Sequence, residues 1–544
     1  MTNYIDINEL SKESMHEVSY GVTLIIFGTL VVIIGYWFES VVFTEQIGLV
    51  VADIPGFVKN LGILNVGKVV APYLTAFILF YIGCMMVIKH IPLIELTMIE
   101  KITSKTIESV KTTKKTLNTN EYIMNLKKLI ETRSVLTLFT DNFIPTGLLM
   151  IGIMYHFFRI QFGLGLSSVV IMILFVMAMY HLEMQNLGAA EEKEIKIDQY
   201  CEDIQDIVVN LDTLLVSNTK EKEMGNVNKS KENTLTKYIA SDVATTELAL
   251  GLHVVVIITA VILNGLALNA YTNNLTDIAR LSSILLLSLM FIKACDGMIV
   301  KLRNVTHFLG KYTSLQKYFH SFAIKPESPK DLIIKDGSIR FENISISYED
   351  TMIVNNFNMD IKGNTTVGII GGIGSGKTSI VKSLAGLVKY SGEIYVDDQD
   401  IRTCNYKSLM KHIVYIQQHP KMFNKTILYN LTYGTDYDID ATKKFLKKIG
   451  FLSFFDRFPN GLESKVGKEG NKLSGGQKQI IVILRSLLQD KKILLLDEPT
   501  SSLDKNTKTV IINLLQKIKE KTIIIVTHDT TIEGIFDDYV EITI

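Results

Sequence analysis

Gly371-Gly-Ile-Gly-Ser-Gly-Lys-Thr378 follows the apolar run Thr366-Val-Gly-Ile-Ile370 and precedes Ser379-Ile-Val-Lys-Ser-Leu-Ala385, which has helical character. The stretch fits G-x-x-x-x-G-K-S/T between a β-rich run and a helix, the setting in which that loop cradles phosphates. Gly371, Gly372, Gly374 and Gly376 let the backbone turn sharply, so several N–H groups can face one anion at a helix start. The candidate nucleotide contacts are these glycines with Ile373, Ser375, Lys377, Thr378 and Ser379. Lys377 is expected to reach the β- and γ-phosphates, and Thr378 to hold Mg²⁺ through its hydroxyl. A Gly/Ser-rich turn also arises by chance, and the loop alone says only that a nucleotide binds.

The rest of the chain decides what the nucleotide is for. A length of 544 residues implies several domains, at about 150 residues each. Mean hydropathy is +0.25 although 21% of residues are charged, which points to an apolar half joined to a soluble half. The formal net charge is zero, so no global charge argues for a nucleic-acid partner. Cys84, Cys201, Cys295 and Cys404 are far apart, without a C-x-x-C pair, and read as free thiols.

Residues 1–320 carry the apolar half. Tyr20–Phe38 runs 19 residues without a charge and lacks the basic start and small-residue cleavage site of a signal peptide. It reads as the first membrane span. Further runs at about 69–88, 143–158, 164–182, 248–270 and 278–300 approach the roughly 20 residues that cross a bilayer. Six spans are expected. The segment 88–142 holds nine Lys/Arg and 183–246 holds seven lysines, whereas 271–277 has none. Such an excess marks the cytoplasmic side, so both termini and both long polar segments are expected there; which membrane is not legible. Apolar residues at helical spacing in those segments (Tyr122, Leu126, Leu129; Ile204, Ile207, Leu211, Leu214) predict that spans three to five continue as stalks. Lys293 and Asp296 lie three apart in the last span, as a cavity pair or an interfacial one, and His156 and His253 are expected at span ends.

Lys325-Pro-Glu-Ser-Pro-Lys330 reads as a linker within 321–337, and strands and helices alternate from 338 to 544 with a mainly parallel sheet. Here the chain resembles a known family. Leu473-Ser-Gly-Gly-Gln477 looks like the signature of ATP-binding cassette (ABC) proteins, and Ile493-Leu-Leu-Leu-Asp-Glu-Pro-Thr500 resembles their strand ending in a metal-binding Asp and a catalytic Glu. Ser501-Ser-Leu-Asp504, Ile523-Ile-Ile-Val-Thr-His-Asp529 and Val414-Tyr-Ile-Gln-Gln418 are similar to the flanking loops, and Tyr348 matches the adenine-stacking aromatic. The resemblance implies Asp497, Thr378 and Gln418 as metal ligands, with Glu498 as general base. It also implies that His528 contacts the γ-phosphate. Ser474, Gly475, Gly476 and Gln477 would bind ATP across a dimer, opposite another subunit's loop.

The fold class so implied is a membrane all-α six-span domain (1–320) followed by an α/β P-loop NTPase, the ABC ATPase domain (338–544). The whole resembles exporter-type half-transporters, with ATP and Mg²⁺ as cofactors. A transported solute, the lipid bilayer and a second half-transporter are the implied partners. No motif is degenerate, so a homodimer would have two competent sites; a heterodimer is also compatible. The implied activity is ATP-driven export, and the alternative is an ATP-gated channel or regulatory membrane ATPase with the same motor. Lys465-Val-Gly-Lys-Glu-Gly470 departs from the exporters' V-G-E-R-G, with Lys468 where Glu is usual and Glu469 where Arg is usual. The amino terminus is too short for the peptidase of some peptide exporters.

Overall fold

Helix α1 (Ile7–Glu17) begins at Asp6, whose side chain accepts from the Asn8 N–H, and leads into α2 (Ser19–Trp37), the first apolar helix. A computed structural model describes residues 3–38, 42, 46, 49–50, 53–59, 62–114, 117–131, 143–274, 277–324, 330–348, 351–372, 374–501 and 503–542. Ile373, Arg133, Leu275, Thr276, Ser502 and linker residues 325–329 lie outside them. The chain forms two compact units, residues 3–108 with 117–324, and 109–116 with 325–544.

In the first unit, α3 (Ile63–Thr113) is followed by α4 (Thr119–Glu131), α5 (Ile144–Ile160), α6 (Phe162–Val209) and α7 (Leu211–Ser217). Helices α8 (Lys220–Thr272) and α9 (Ile278–His320) complete it. Five of these, α2, α3, α6, α8 and α9, are long and apolar enough to cross a membrane; the 17-residue α5 is a shorter apolar helix. The chain is an integral membrane protein, and its helices agree with six spans. Helices α3, α6, α8 and α9 run far past bilayer thickness, 51, 48, 53 and 43 residues at about 1.5 Å each. Continuation therefore involves the second and sixth spans as well as the fourth and fifth. For the third, the residues before α5 are outside the described set.

Two kinds of contact hold this unit together. Small residues let helices approach: a Cβ on Gly28 would lie 2.8 Å from the Gly83 carbonyl oxygen and, past the apolar stretches, one on Gly310 2.9 Å from that of Ala190. Beyond the apolar stretches, ion pairs take over. Lys193 of α6 reaches Asp242 of α8 at 3.0 Å and lies over the Tyr238 ring, and Lys237 pairs with Glu192 at 2.6 Å.

His156, expected at a span end, is buried, because it shares the inward face of α5 with Ile153 and Phe157. One expectation changes here. Asp296 faces His253 of α8 (Nε2 to Oδ1, 3.7 Å), and among the described residues no ion pair joins it to Lys293. Interhelical packing has overridden the i, i+3 spacing.

Strand β1 (Asn3–Tyr4) pairs with β2 (Ala323–Ile324) in the first unit. The second unit has β3 (Ile339–Tyr348), β4 (Thr351–Ile361), β5 (Thr366–Gly371), α10 (Lys377–Leu384), β6 (Ser391–Val396), β7 (Gln399–Asp400), α11 (Tyr406–His412) and β8 (Ile413–Ile416). Then come α12 (Ile427–Thr432), α13 (Ile439–Ile449), α14 (Gly475–Leu488), β9 (Ile493–Asp497), α15 (Lys505–Gln516), β10 (Thr522–Thr527) and β11 (Asp538–Ile542). A five-stranded parallel sheet runs β11-β5-β10-β9-β8, and a four-stranded antiparallel sheet runs β4-β3-β6-β7. Every residue of β9 and β10 is buried, as continuous apolar strands covered on both faces should be. Register pairs Thr527 with Ile370 and Val526 with Asp497, so three strands end together.

Candidate functional site

The carboxyl ends of β5, β9 and β10 carry the phosphate loop, Asp497–Glu498 and His528, and such strand ends are where α/β sheets bind ligands. Gly376 is the N-cap of α10 at φ +88°, and a Cβ there would lie 2.4 Å from Val354 Cγ2. Only glycine tolerates both demands. No side chain caps α10, unlike α12, α13, α14 and α15, whose first-turn N–H groups donate to the side chains of Thr426, Asp438, Ser474 and Asp504. Its first-turn N–H groups are therefore left for an anion.

Lys377 is buried and donates to the carbonyl oxygens of Gly371 (2.8 Å) and Gly372 (2.6 Å). Burial lowers its ammonium below the ordinary lysine range, against the opposing pull of Glu498 and Asp497. Its charge thus sits inside the loop, within sight of both carboxylates.

Asp497, 3% exposed, accepts from the Thr378 hydroxyl at Oδ1 (2.9 Å) and from the Tyr415 hydroxyl at Oδ2 (2.9 Å). With its proton turned to Asp497, the Thr378 oxygen keeps lone pairs for a cation. Among the described residues no group of three or more His, Cys, Asp or Glu is assembled to hold a metal. A hydroxyl and a carboxylate fit instead the way Mg²⁺ is held, by one or two protein oxygens together with substrate phosphates.

Glu498 follows at φ +50°, a left-handed conformation that costs on the order of 1–3 kcal/mol for a non-glycine residue. Its N–H donates to the Val526 carbonyl (2.9 Å), and its Oε1 accepts from His528 Nδ1 at 2.6 Å. A carboxylate only accepts, so Nδ1 carries the proton in this contact and Nε2 is turned elsewhere. The segment after His528 is held by an ion pair between Asp529 and Lys508 of α15. The Tyr348 hydroxyl lies 3.4 Å from Ser379 Oγ, which brings the aromatic to the loop's helix.

Gly371, Gly372, Gly374, Ser375, Gly376, Lys377, Thr378, Ser379, Tyr348, Asp497, Glu498 and His528 thus meet in one place. The signature does not join them. Ser474 and Gln477 bond each other in a capping box: Ser474 Oγ accepts from the Gln477 N–H (3.2 Å), and Gln477 Oε1 from the Ser474 N–H (2.8 Å). With Gly475 and Gly476 they start α14. Gln418 lines a cavity of about 540 Å³ with Lys468, Glu469, Asn471 and Gly475, and among the described residues it has no bond to Thr378 or Asp497. Glu469, of the reversed pair, lies 3.7 Å from Lys421.

Tyr415 is the residue that motif reading passed over. Strand register, which no motif carries, reveals it: Tyr415 pairs with Leu495, and residues two apart on a strand share a face, so Tyr415 and Asp497 point the same way.

The family model described as ABC transporter matches residues 354–501. These residues are an ABC transporter domain. The ATP-dependent lipid A-core flippase of Psychrobacter cryohalolentis is 38% identical over 204 residues, 36% of this chain and 34% of the flippase. ATP-binding cassette sub-family B member 5 of Homo sapiens is 37% identical over 216 residues, 39% of this chain and 17% of that protein. The chain's match thus spans about a third or less of these relatives' length. A solved bacterial Atm1-family ABC exporter with ATP bound superposes at a TM-score of 0.78 over 97% of this chain and 93% of its own, at 18% identity. The chain accordingly has an ABC exporter fold, with the ABC domain following the membrane helices.

Proposed function

We propose that this chain is one half of an ATP-driven exporter, working as a dimer of half-transporters. The observation that carries this reading is the cluster of Thr378, Asp497, Glu498 and His528 around the loop of an exporter-fold chain. Residues 1–320 form the membrane part, 321–337 the linker and 338–544 the ATPase. The loop N–H groups and Lys377 bind the phosphates of ATP, and Tyr348 stacks on adenine. Thr378 and Asp497 would hold Mg²⁺, joined by Gln418 only if its loop closes on them, and the ion would neutralise charge on the transferring phosphoryl group. Glu498 orients the attacking water and takes its proton, with His528 fixing the carboxylate that does so. Hydrolysis by positioning needs little more.

Ser474, Gly475, Gly476 and Gln477 complete the site from the second copy, because they head a separate helix that, among the described residues, has no bond to the loop of its own chain. ATP binding joins the two cassettes and turns the membrane cavity outward, and hydrolysis resets it. The Lys/Arg-rich segments 88–142 and 183–246 support a cytoplasmic cassette and cytoplasmic termini, on the side that holds ATP. The test is Glu498→Gln in nanodiscs. ATPase turnover should fall on the order of 10²-fold or more while ATP binding persists; near-normal turnover would remove Glu498 from the role of base.

A further inference from the structure

We propose that Tyr415 is a positioning residue for the metal-binding carboxylate, its hydroxyl locking Asp497 in the orientation that receives Mg²⁺. The inference rests on the ATPase reading above and adds a residue to it. An aspartate's terminal torsion is broad, so a lone carboxylate samples many planes. Here each oxygen has its own donor from a different element: Thr378 of α10 holds Oδ1 and Tyr415 of β8 holds Oδ2, both at 2.9 Å. Two donors, one per oxygen, fix the plane. A carboxylate offers about four lone-pair directions, so two remain for a cation or its water.

The tyrosine is itself firmly held. Ile413 and Tyr415 lie on the sheet face shared with Leu495 and with Ile380, Val381 and Leu384 of α10, whereas Val414 and Ile416 pack on the other face. The β8–β9 register thus fixes both the ring's face and the depth of its hydroxyl. A phenol ordinarily ionises only at about pH 10, so at neutral pH it is a donor. Thr378 cannot do this alone. Its hydroxyl would hold the cation as well, whereas the one bond of the Tyr415 hydroxyl among the described residues is to Asp497.

Outer partners of metal ligands typically alter metal affinity about 10- to 100-fold when removed. The experiment compares full-length Glu498→Gln with Glu498→Gln/Tyr415→Phe in nanodiscs, using Mn²⁺ as the probe. Mn²⁺ affinity with ATP bound is read by electron paramagnetic resonance, and ATP affinity in EDTA by displacement of a fluorescent nucleotide. Loss of the hydroxyl should weaken Mn²⁺ about tenfold, broaden the spectrum of the bound ion and leave ATP affinity in EDTA within about twofold. Equal Mn²⁺ affinity in the two proteins would overturn the assignment. So would a lowered melting temperature with unchanged Mn²⁺ affinity, which would make Tyr415 structural only. A parallel loss of ATP affinity in EDTA would also overturn it, by showing that the loop itself had moved. If Glu498→Gln alone binds neither ATP nor Mn²⁺, the ATPase reading fails first and takes this inference with it.

Discussion

The cassette and the membrane half obey different rules of sequence. In the cassette, chemistry demands particular atoms: a Thr hydroxyl and an Asp carboxylate 2.9 Å apart, and a Glu beside a His. Identity survives there, and relatives 37–38% identical align over 204–216 residues. In the membrane half the environment demands only that apolar surface meet lipid, so Phe77, Ile151 and Val261 are all more than half exposed in the chain alone. Likeness over nearly the whole chain then appears as fold at 18% identity. A catalytic site selects residues. A bilayer selects composition, and says little about cargo.

That contrast can be broken or sharpened by substitution. The largest effect is expected from Lys377→Ala, which removes the buried charge of the loop: ATP affinity, read by nucleotide displacement, should fall roughly 100-fold, equal to about 2.7 kcal/mol. Unchanged affinity would mean that the cassette tolerates substitution as the membrane half does. Next in size is Gly28→Leu, where even a Cβ would stand 2.8 Å from the Gly83 carbonyl oxygen. Forcing those helices apart should cost about 1–3 kcal/mol, seen as lower thermal stability in nanodiscs, whereas Ile26→Leu on the exposed side of the same helix should change nothing measurable. Equal tolerance of both would show composition to be enough even at helix crossings.

The smallest effect concerns Glu194 in the polar stretch of α6. Burial raises its carboxyl above the usual glutamate range, and the lysines nearby only partly offset this. The native state then holds the proton more tightly than the unfolded one, so the favourable contribution exists at low pH and is lost as pH climbs through the raised value. Glu194→Gln should therefore raise the melting temperature by about 1–2 °C at about pH 8 and do little at about pH 5. The same gain at both pH values would take the carboxyl's titration out of the account.

Much of the site was legible because its parts are local. A strand, a glycine loop and a helix start are contiguous in Thr366–Leu384, and Asp497–Glu498 end a buried apolar strand whose hydropathy announces it. Spans were legible for the same reason, since crossing a bilayer is a property of one helix at a time. Less legible were contacts chosen between helices. Asp296 turns to His253 rather than to Lys293, and His156 turns inward, because neighbouring helices and not i, i+3 spacing decide which face is covered. The reversed charges at Lys468 and Glu469 depart from the exporters' pattern, and spacing alone does not name their partners. Within the cassette, Glu469 has a partner in Lys421.

By itself, the sequence determined the order of the parts: apolar helices first, then a strand–loop–helix unit, a signature and the two strands that end in Asp497 and at His528. Such patterns arise from neighbours along the chain, where steric and transfer energies act within a few residues. Only tertiary structure decided that Tyr415 closes on Asp497 from 82 residues away, that Ser474 and Gln477 cap their own helix, and that small residues set the helix crossings. These depend on strand register and interhelical distance, and no local spacing encodes either.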